Sequence, residues 1–130
     1  MTLDHWKTRE PIAVLSSGEK DIWRLTLSHS HGPRSVVITD SGTVVLLDEW
    51  VRIKSAHAVT VIPPTGKGVQ DWSFDEVRTI LDVPSKTLTQ SAKIGMWMFG
   101  TPTVKGSVVS IPAGGKTLTI DTKAMKLNHL

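Results

Sequence analysis

The chain of 130 residues contains no cysteine and no tyrosine. The absence of cysteine excludes disulfides, thiol nucleophiles and cysteine-bound zinc, and the absence of tyrosine excludes a phenolic proton donor. No apolar run approaches the roughly 18 residues of a membrane span, so we expect no membrane partner. The first residues lack the apolar core of a signal peptide, which predicts a cytoplasmic protein.

Acidic side chains are scarce in the last third of the chain. Residues 83–130 hold six lysines and one carboxylate, that of Asp121, and no arginine follows Arg78. Without arginine, this part of the chain has no bidentate contact to offer guanine. The basic balance is typical of a protein with an anionic partner, and scattered surface lysines also serve solubility. Both interpretations stay open.

Alternating apolar residues dominate the first 63 positions. The pattern predicts strands over 12–16, 20–31, 35–39, 43–50 and 57–63, followed by a loop over 63–71. Gly42 in the triplet between the third and fourth of these strands suits a hairpin turn, because glycine tolerates a left-handed backbone. Further strands are predicted within 93–121, with a hairpin around Gly114-Gly115, and the tail after Asp121 has a weak helical pattern.

A helix is predicted over residues 73–82. Ser73 and Glu76 have the spacing of a capping box, and Phe74, Val77, Ile80 and Leu81 form one apolar stripe. Strands before and after one central helix predict a β-rich α+β fold, in which a curled antiparallel sheet or small barrel packs against the helix. The length suits a single domain over 1–130.

The stretch 25–35 suggests a metal site. His29 and His31 are two positions apart and continue the alternation of Trp23, Leu25 and Leu27, which places both on the core side of a strand. His57 shares its alternation with Val59 and Val61. The three histidines would bind a divalent metal if they converge, with Asp48 or Glu49 as a carboxylate ligand. The alternative is a set of strand-end histidines that bond to loop carbonyls or water.

Residues 75–95 resemble the helix-turn-helix of bacterial regulators and excisionases. The match follows the form Glu-Val-x-x-x-Leu-x-Val-x-x-x-Thr-Leu, which begins at Glu76 and ends at Leu88. The resemblance implies a recognition helix that starts near residue 86 and a DNA partner. It assigns base contacts to Lys86, Thr87 and Gln90, and a phosphate contact to Lys93. The alternative is a helix and turn that only pack on the sheet.

Catalytic patterns are sparse, so an enzymatic activity is not favoured, no catalytic residue is assigned and no cofactor is expected apart from the divalent metal. The leading hypothesis is a non-catalytic binding or assembly module for a small apolar ligand or a protein partner, which forms a homo-oligomer. The segment 94–99 is apolar on both faces, as in a buried strand, a ligand cavity or an interface. The expected contact residues are Trp50, Met96, Trp97, Met98 and Phe99. DNA binding and metal binding are the alternative functions.

Overall fold

A computed structural model describes residues 12–27, 29, 33, 35–48, 56–84, 86–87, 97–98 and 100–130. Over these residues the chain forms an α+β fold that is rich in strands. The elements are β1 (Ile12–Ser17), β2 (Lys20–Thr26), β3 (Ser35–Ile38), β4 (Val44–Leu47), β5 (Val59–Ile62), β6 (Gln70–Trp72), α1 (Phe74–Leu81), β7 (Thr103–Lys105), β8 (Val108–Ala113), β9 (Lys116–Asp121) and β10 (Lys126–His129).

The strands form three antiparallel sheets. One is the hairpin β1-β2, the second has the order β3-β4-β5-β6, and the third has the order β10-β9-β8-β7. Within the described ranges none of the sheets closes into a barrel, so the predicted α+β fold is confirmed in its open-sheet form. Gly42 has the predicted left-handed backbone, with φ of 87°, at the turn between β3 and β4. No helix in the described ranges is long and apolar enough to span a membrane.

The sheet β3–β6 separates two apolar clusters, and β4 belongs to both because its four residues are all buried. Val45 and Leu47 face the main core, which also contains residues of α1, β5, β8 and β9 together with Trp97 and Met98. Val44 and Leu46 face a second cluster, which contains Trp23 and other residues of the hairpin β1-β2. The hairpin therefore covers part of one face of the sheet, and the helix and the third sheet cover the other.

Helix α1 begins as the sequence predicts. The Ser73 side chain accepts the N–H of Glu76 at 3.2 Å, and the Glu76 carboxylate accepts the N–H of Ser73 at 3.1 Å. At the other end, Asp82 adopts a left-handed backbone with φ of 55°. Lys116 donates from Nζ to the carbonyls of Leu81, at 2.7 Å, and Asp82, at 3.3 Å. The helix therefore has a local cap at its start and a cap from the third sheet at its end.

Several elements differ from the sequence predictions. The strand predicted over 20–31 ends at Thr26, and the loop predicted over 63–71 already contains the start of β6 at Gln70. The tail predicted to be helical forms β10 instead. Asp121 Oδ1 accepts the N–H groups of Lys123 and Ala124, both at 3.0 Å, which turns the chain back so that β10 pairs with β9. This local turn competes with the weak helical pattern and prevails.

Candidate functional site

A cleft of about 230 Å³ lies between the hairpin β1-β2 and the sheet β3–β6. We call it the β3 groove. Every described residue that lines it is apolar: Ile12, Ala13, Val14, Leu15, Trp23, Leu27, Pro33, Val36, Ile38, Val44 and Leu46. The groove is an opening into the second cluster, because Trp23, Val44 and Leu46 belong to both.

The groove exists because the hairpin leaves β3 uncovered. In the sheet, Val36 pairs with Leu46 and Ile38 pairs with Val44, so the two β3 residues share the face of the second cluster. Their side chains nevertheless remain 53% and 57% exposed. On the hairpin side of the groove, Ile12 and Val14 are 54% and 42% exposed. Four large apolar side chains therefore meet solvent around one opening.

Strand β3 also has an open edge. Within the described ranges it pairs with β4 alone. The N–H of Thr39 bonds the carbonyl of Thr43 at 2.9 Å, and hydrogen-bonded pairs alternate along an antiparallel ladder. Val37 therefore directs its backbone groups at β4, whereas Val36 and Ile38 direct theirs away from it. The exposed side chains and the outward backbone groups belong to the same two residues.

Trp23 forms the floor of the groove and is held in place by a glycine. Its side chain is buried, and its indole Nε1 makes no hydrogen bond to the described residues. Gly66 has a left-handed backbone with φ of 76°, and a Cβ added there would lie 2.8 Å from Trp23 Cγ. The backbone at Gly66 thus packs directly on the indole and leaves no room for a side chain.

The structure brings two of the three predicted metal-binding histidines together. The rings of His29 and His57 stack with centroids 4.6 Å apart and planes 29° apart. His57 Nδ1 lies 3.3 Å from Asp71 Oδ1, and Thr60 donates a hydrogen bond to the same carboxylate oxygen. His31 lies outside the described residues. This part of the molecule is a stacked imidazole pair beside a carboxylate.

The expectation that His57 follows the row of Val59 and Val61 is wrong. His57 lies in the turn before β5, where strand alternation does not apply, and its ring reaches Asp71. Asp71 pairs with Thr60, which faces away from Val59 and Val61. Among the described residues, no group of three or more histidine and carboxylate side chains is placed to hold a metal ion. Metal binding through His29, His31 and His57 stays a prediction.

Two of the expected contact residues lie in the protein interior. Trp97 and Met98 are fully buried in the main core, so neither contributes a surface of this chain. Trp50, Met96 and Phe99 lie outside the described residues. None of the expected contact residues lies in β3, although the sequence of this strand carries one signal of a contact surface. Ser35–Ile38 is apolar on both faces, and a strand at a sheet edge then has an apolar face left to cover.

The residues that resemble a helix-turn-helix are described only in part. Helix α1 packs Phe74, Val77 and Leu81 into the main core. Lys86 and Thr87 are exposed and have a helical backbone, whereas Gln90 and Lys93 lie outside the described residues. DNA binding through these four side chains stays a prediction.

Comparison of the chain with models of protein families, with curated proteins and with solved structures finds no match.

Proposed function

We propose that the protein is a non-catalytic binding module that recognises an extended, uncharged segment of a protein partner. The segment adds as a strand beside β3 and places alternate apolar side chains against the β3 groove. The observation that carries the proposal is the coincidence, at Val36 and Ile38, of exposed side chains and outward backbone groups.

The backbone of β3 supplies the affinity that does not depend on sequence. An added antiparallel strand exchanges N–H and C=O groups with Val36 and Ile38, since these groups point away from β4. Strand addition of this kind is a recurring mode of peptide recognition, in which backbone bonds hold the segment and side-chain pockets select it.

The groove supplies the selectivity. Its volume of about 230 Å³ is below the roughly 300–1,000 Å³ of pockets that enclose a drug-sized ligand. It suits one or two aliphatic side chains of a longer segment. Since the described lining residues are all apolar, a charged side chain that enters would lose its water and find no polar side chain among them. We therefore expect apolar side chains at alternate positions of the bound segment.

A fluorescein-labelled hexapeptide that alternates valine and threonine tests the proposal by fluorescence anisotropy. We expect binding that Ile38→Lys weakens about tenfold or more, which corresponds to about 1.4 kcal/mol or more. The matched control is Ile22→Lys, because Ile22 is 55% exposed on the hairpin and does not line the groove. A second peptide, methylated on the backbone nitrogens that face β3, should bind more weakly than the first.

Two results would contradict the proposal. One is the absence of peptide binding to the unmodified protein, and the other is equal binding to Ile38→Lys and Ile22→Lys. Circular dichroism of both variants checks that the substitutions leave the fold intact.

A further inference from the structure

We infer that the segment bound at β3 is β3 of a second copy of this chain, so that two sheets β3–β6 join into one sheet of eight strands. The inference rests on the proposed function and specifies the partner. The two copies are related by a twofold axis that passes through Val37, and the two β3 strands run antiparallel.

The direction of the backbone groups sets this register. The backbone N–H and C=O groups of Val36 and Ile38 point away from β4. In an antiparallel dimer these groups bond to each other when Val36 of one copy lies opposite Ile38 of the other. Val37 then lies opposite its own copy as a non-hydrogen-bonded pair. Each of the two outward pairs exchanges two hydrogen bonds, which gives four across the axis. A pairing of this type is closed and uses the same surface on both copies.

The exposed side chains match the same register. Val36 and Ile38 lie on the groove face of the sheet, so the copies place these four side chains next to one another. Side chains that lie directly opposite each other on one face of an antiparallel pair are close enough to interact. The added strand extends the sheet beneath the exposed side chains of Ile12 and Val14 on the hairpin. The chain therefore contains both the groove and, in β3, a segment with the alternate apolar side chains that we expect the groove to bind.

The distribution of charge distinguishes β3 from the other edges of the four-stranded sheets. The outer strands of the two four-stranded sheets are β3, β6, β7 and β10. Three of them carry a charged residue, namely Asp71 in β6, Lys105 in β7 and Lys126 in β10, and only β3 has none. Charged residues protect sheet edges against pairing with other chains. Among these four strands, the one that lacks this protection is also the one with two exposed large apolar side chains.

The dimer is expected to be weak. Its contacts come from one four-residue strand and a few exposed side chains per copy. We therefore expect it to bury less surface than the roughly 1,200–2,000 Å² of a standard interface. We expect a dissociation constant on the order of 10 µM. Sedimentation velocity between about 1 and 300 µM should therefore show a shift from monomer to dimer.

Cysteine cross-linking tests the register, since the natural chain has no cysteine. In the proposed dimer two copies of Val37 form a non-hydrogen-bonded pair, whose Cα separation of roughly 4.5 Å fits a disulfide. Under mild oxidation Val37→Cys should give a covalent dimer at least tenfold faster than Ile22→Cys, which serves as the collision control. Equal rates would overturn the register.

Charge substitution provides a second test that needs no disulfide. V36K/I38K should remain monomeric, because each introduced lysine would face another across the axis. V36K/I38E should dimerise, because each introduced lysine would face an introduced glutamate. Dimerisation of both double variants, or of neither, would overturn the inference.

The peptide experiment separates this inference from the function on which it rests. A chain that stays monomeric at 300 µM and binds the valine–threonine peptide overturns the second copy as partner and leaves the binding function in place. A chain that stays monomeric and binds no peptide overturns both. For a dimer, the peptide should compete with the second copy, and added peptide should shift sedimentation towards the monomer.

Discussion

At the scale of single residues, the contact between Gly66 and Trp23 defines the floor of the β3 groove. Gly66 is needed for two separate reasons: its backbone is left-handed, and a Cβ would overlap the indole. Gly18 shares only the first reason, with φ of 61° and no atom within 4 Å of an added Cβ. Comparing substitutions at the two glycines therefore separates the cost of backbone strain from the cost of steric overlap.

We expect Gly18→Ala to lower the free energy of unfolding by about 1 kcal/mol, because an L-residue is strained in the left-handed region. Gly66→Ala should cost about 1–3 kcal/mol more, because the indole must move. Urea denaturation of both variants measures the difference. Equal losses of stability in the two variants would contradict the steric contribution of Trp23.

The capping box at α1 gives a second prediction at this scale. Ser73→Ala removes the acceptor of the Glu76 N–H and should lower the free energy of unfolding by about 1 kcal/mol. Ser73→Asp keeps an acceptor and serves as the control, with a loss well below that of the alanine variant. A similar loss in both variants would contradict the capping role.

Some residue positions could be predicted from the sequence and others could not. Ser73 and Glu76 act within one helical turn, so their spacing alone specifies their contact. The alternation of Trp23 and Leu25 specifies which face of β2 is inward, and both are more buried than Arg24 between them. Trp97 and Met98 differ, because a segment that is apolar on both faces suits the core and an interface equally well. Only the packing of α1 and the third sheet around them makes them core residues.

At the scale of elements, Lys116 connects the third sheet to the end of α1. Its ammonium group donates to two carbonyls in the last turn of the helix, where the helix dipole favours a positive charge. Lys116→Met keeps most of the aliphatic chain and removes the donor. We expect it to lower the free energy of unfolding by about 1 kcal/mol. Lys126→Met is the control, because Lys126 is exposed on β10, and it should change the free energy of unfolding by less than about 0.5 kcal/mol. Thermal denaturation compares the two variants. A larger loss of stability in Lys126→Met than in Lys116→Met would contradict this cap.

The elements that the sequence did not predict are short strands at sheet edges. β6 contains three residues and β10 contains one buried residue, Leu127. Neither strand has enough alternation of apolar and polar residues to be recognised in the sequence. Each depends instead on backbone hydrogen bonds to the neighbouring strand. Strands such as β1 and β2 carry their own alternation and were predicted. The β3 groove was missed for a related reason, since it depends on how far the hairpin reaches across the sheet.

At the scale of the whole molecule, the two clusters should differ in stability. The hairpin β1-β2 forms a two-stranded sheet of its own and contacts the second cluster, whereas β4 and β5 lie between both clusters. An isolated hairpin is marginal in water, so the hairpin depends on that cluster for its order. Amide hydrogen exchange should be faster in β1 and β2 than in β4 and β5.

Adjacent substitutions in β4 test this difference. Leu46→Ala should speed exchange selectively in the hairpin, because Leu46 faces the second cluster. Leu47→Ala should lower protection throughout the protein by about 2–5 kcal/mol, because Leu47 faces the main core. Uniform effects of both variants would mean that the clusters open together.

The two faces of β4 belong to different clusters, which has a consequence for how the proposed binding surface could diversify. Val44 and Leu46 line the β3 groove, while the alternate positions Val45 and Leu47 hold the main core. Substitutions at Val44 and Leu46 would reshape the pocket that we propose for a bound side chain, whereas Val45 and Leu47 preserve the main core. Directed evolution of a new specificity should therefore accumulate changes at every second position of this strand.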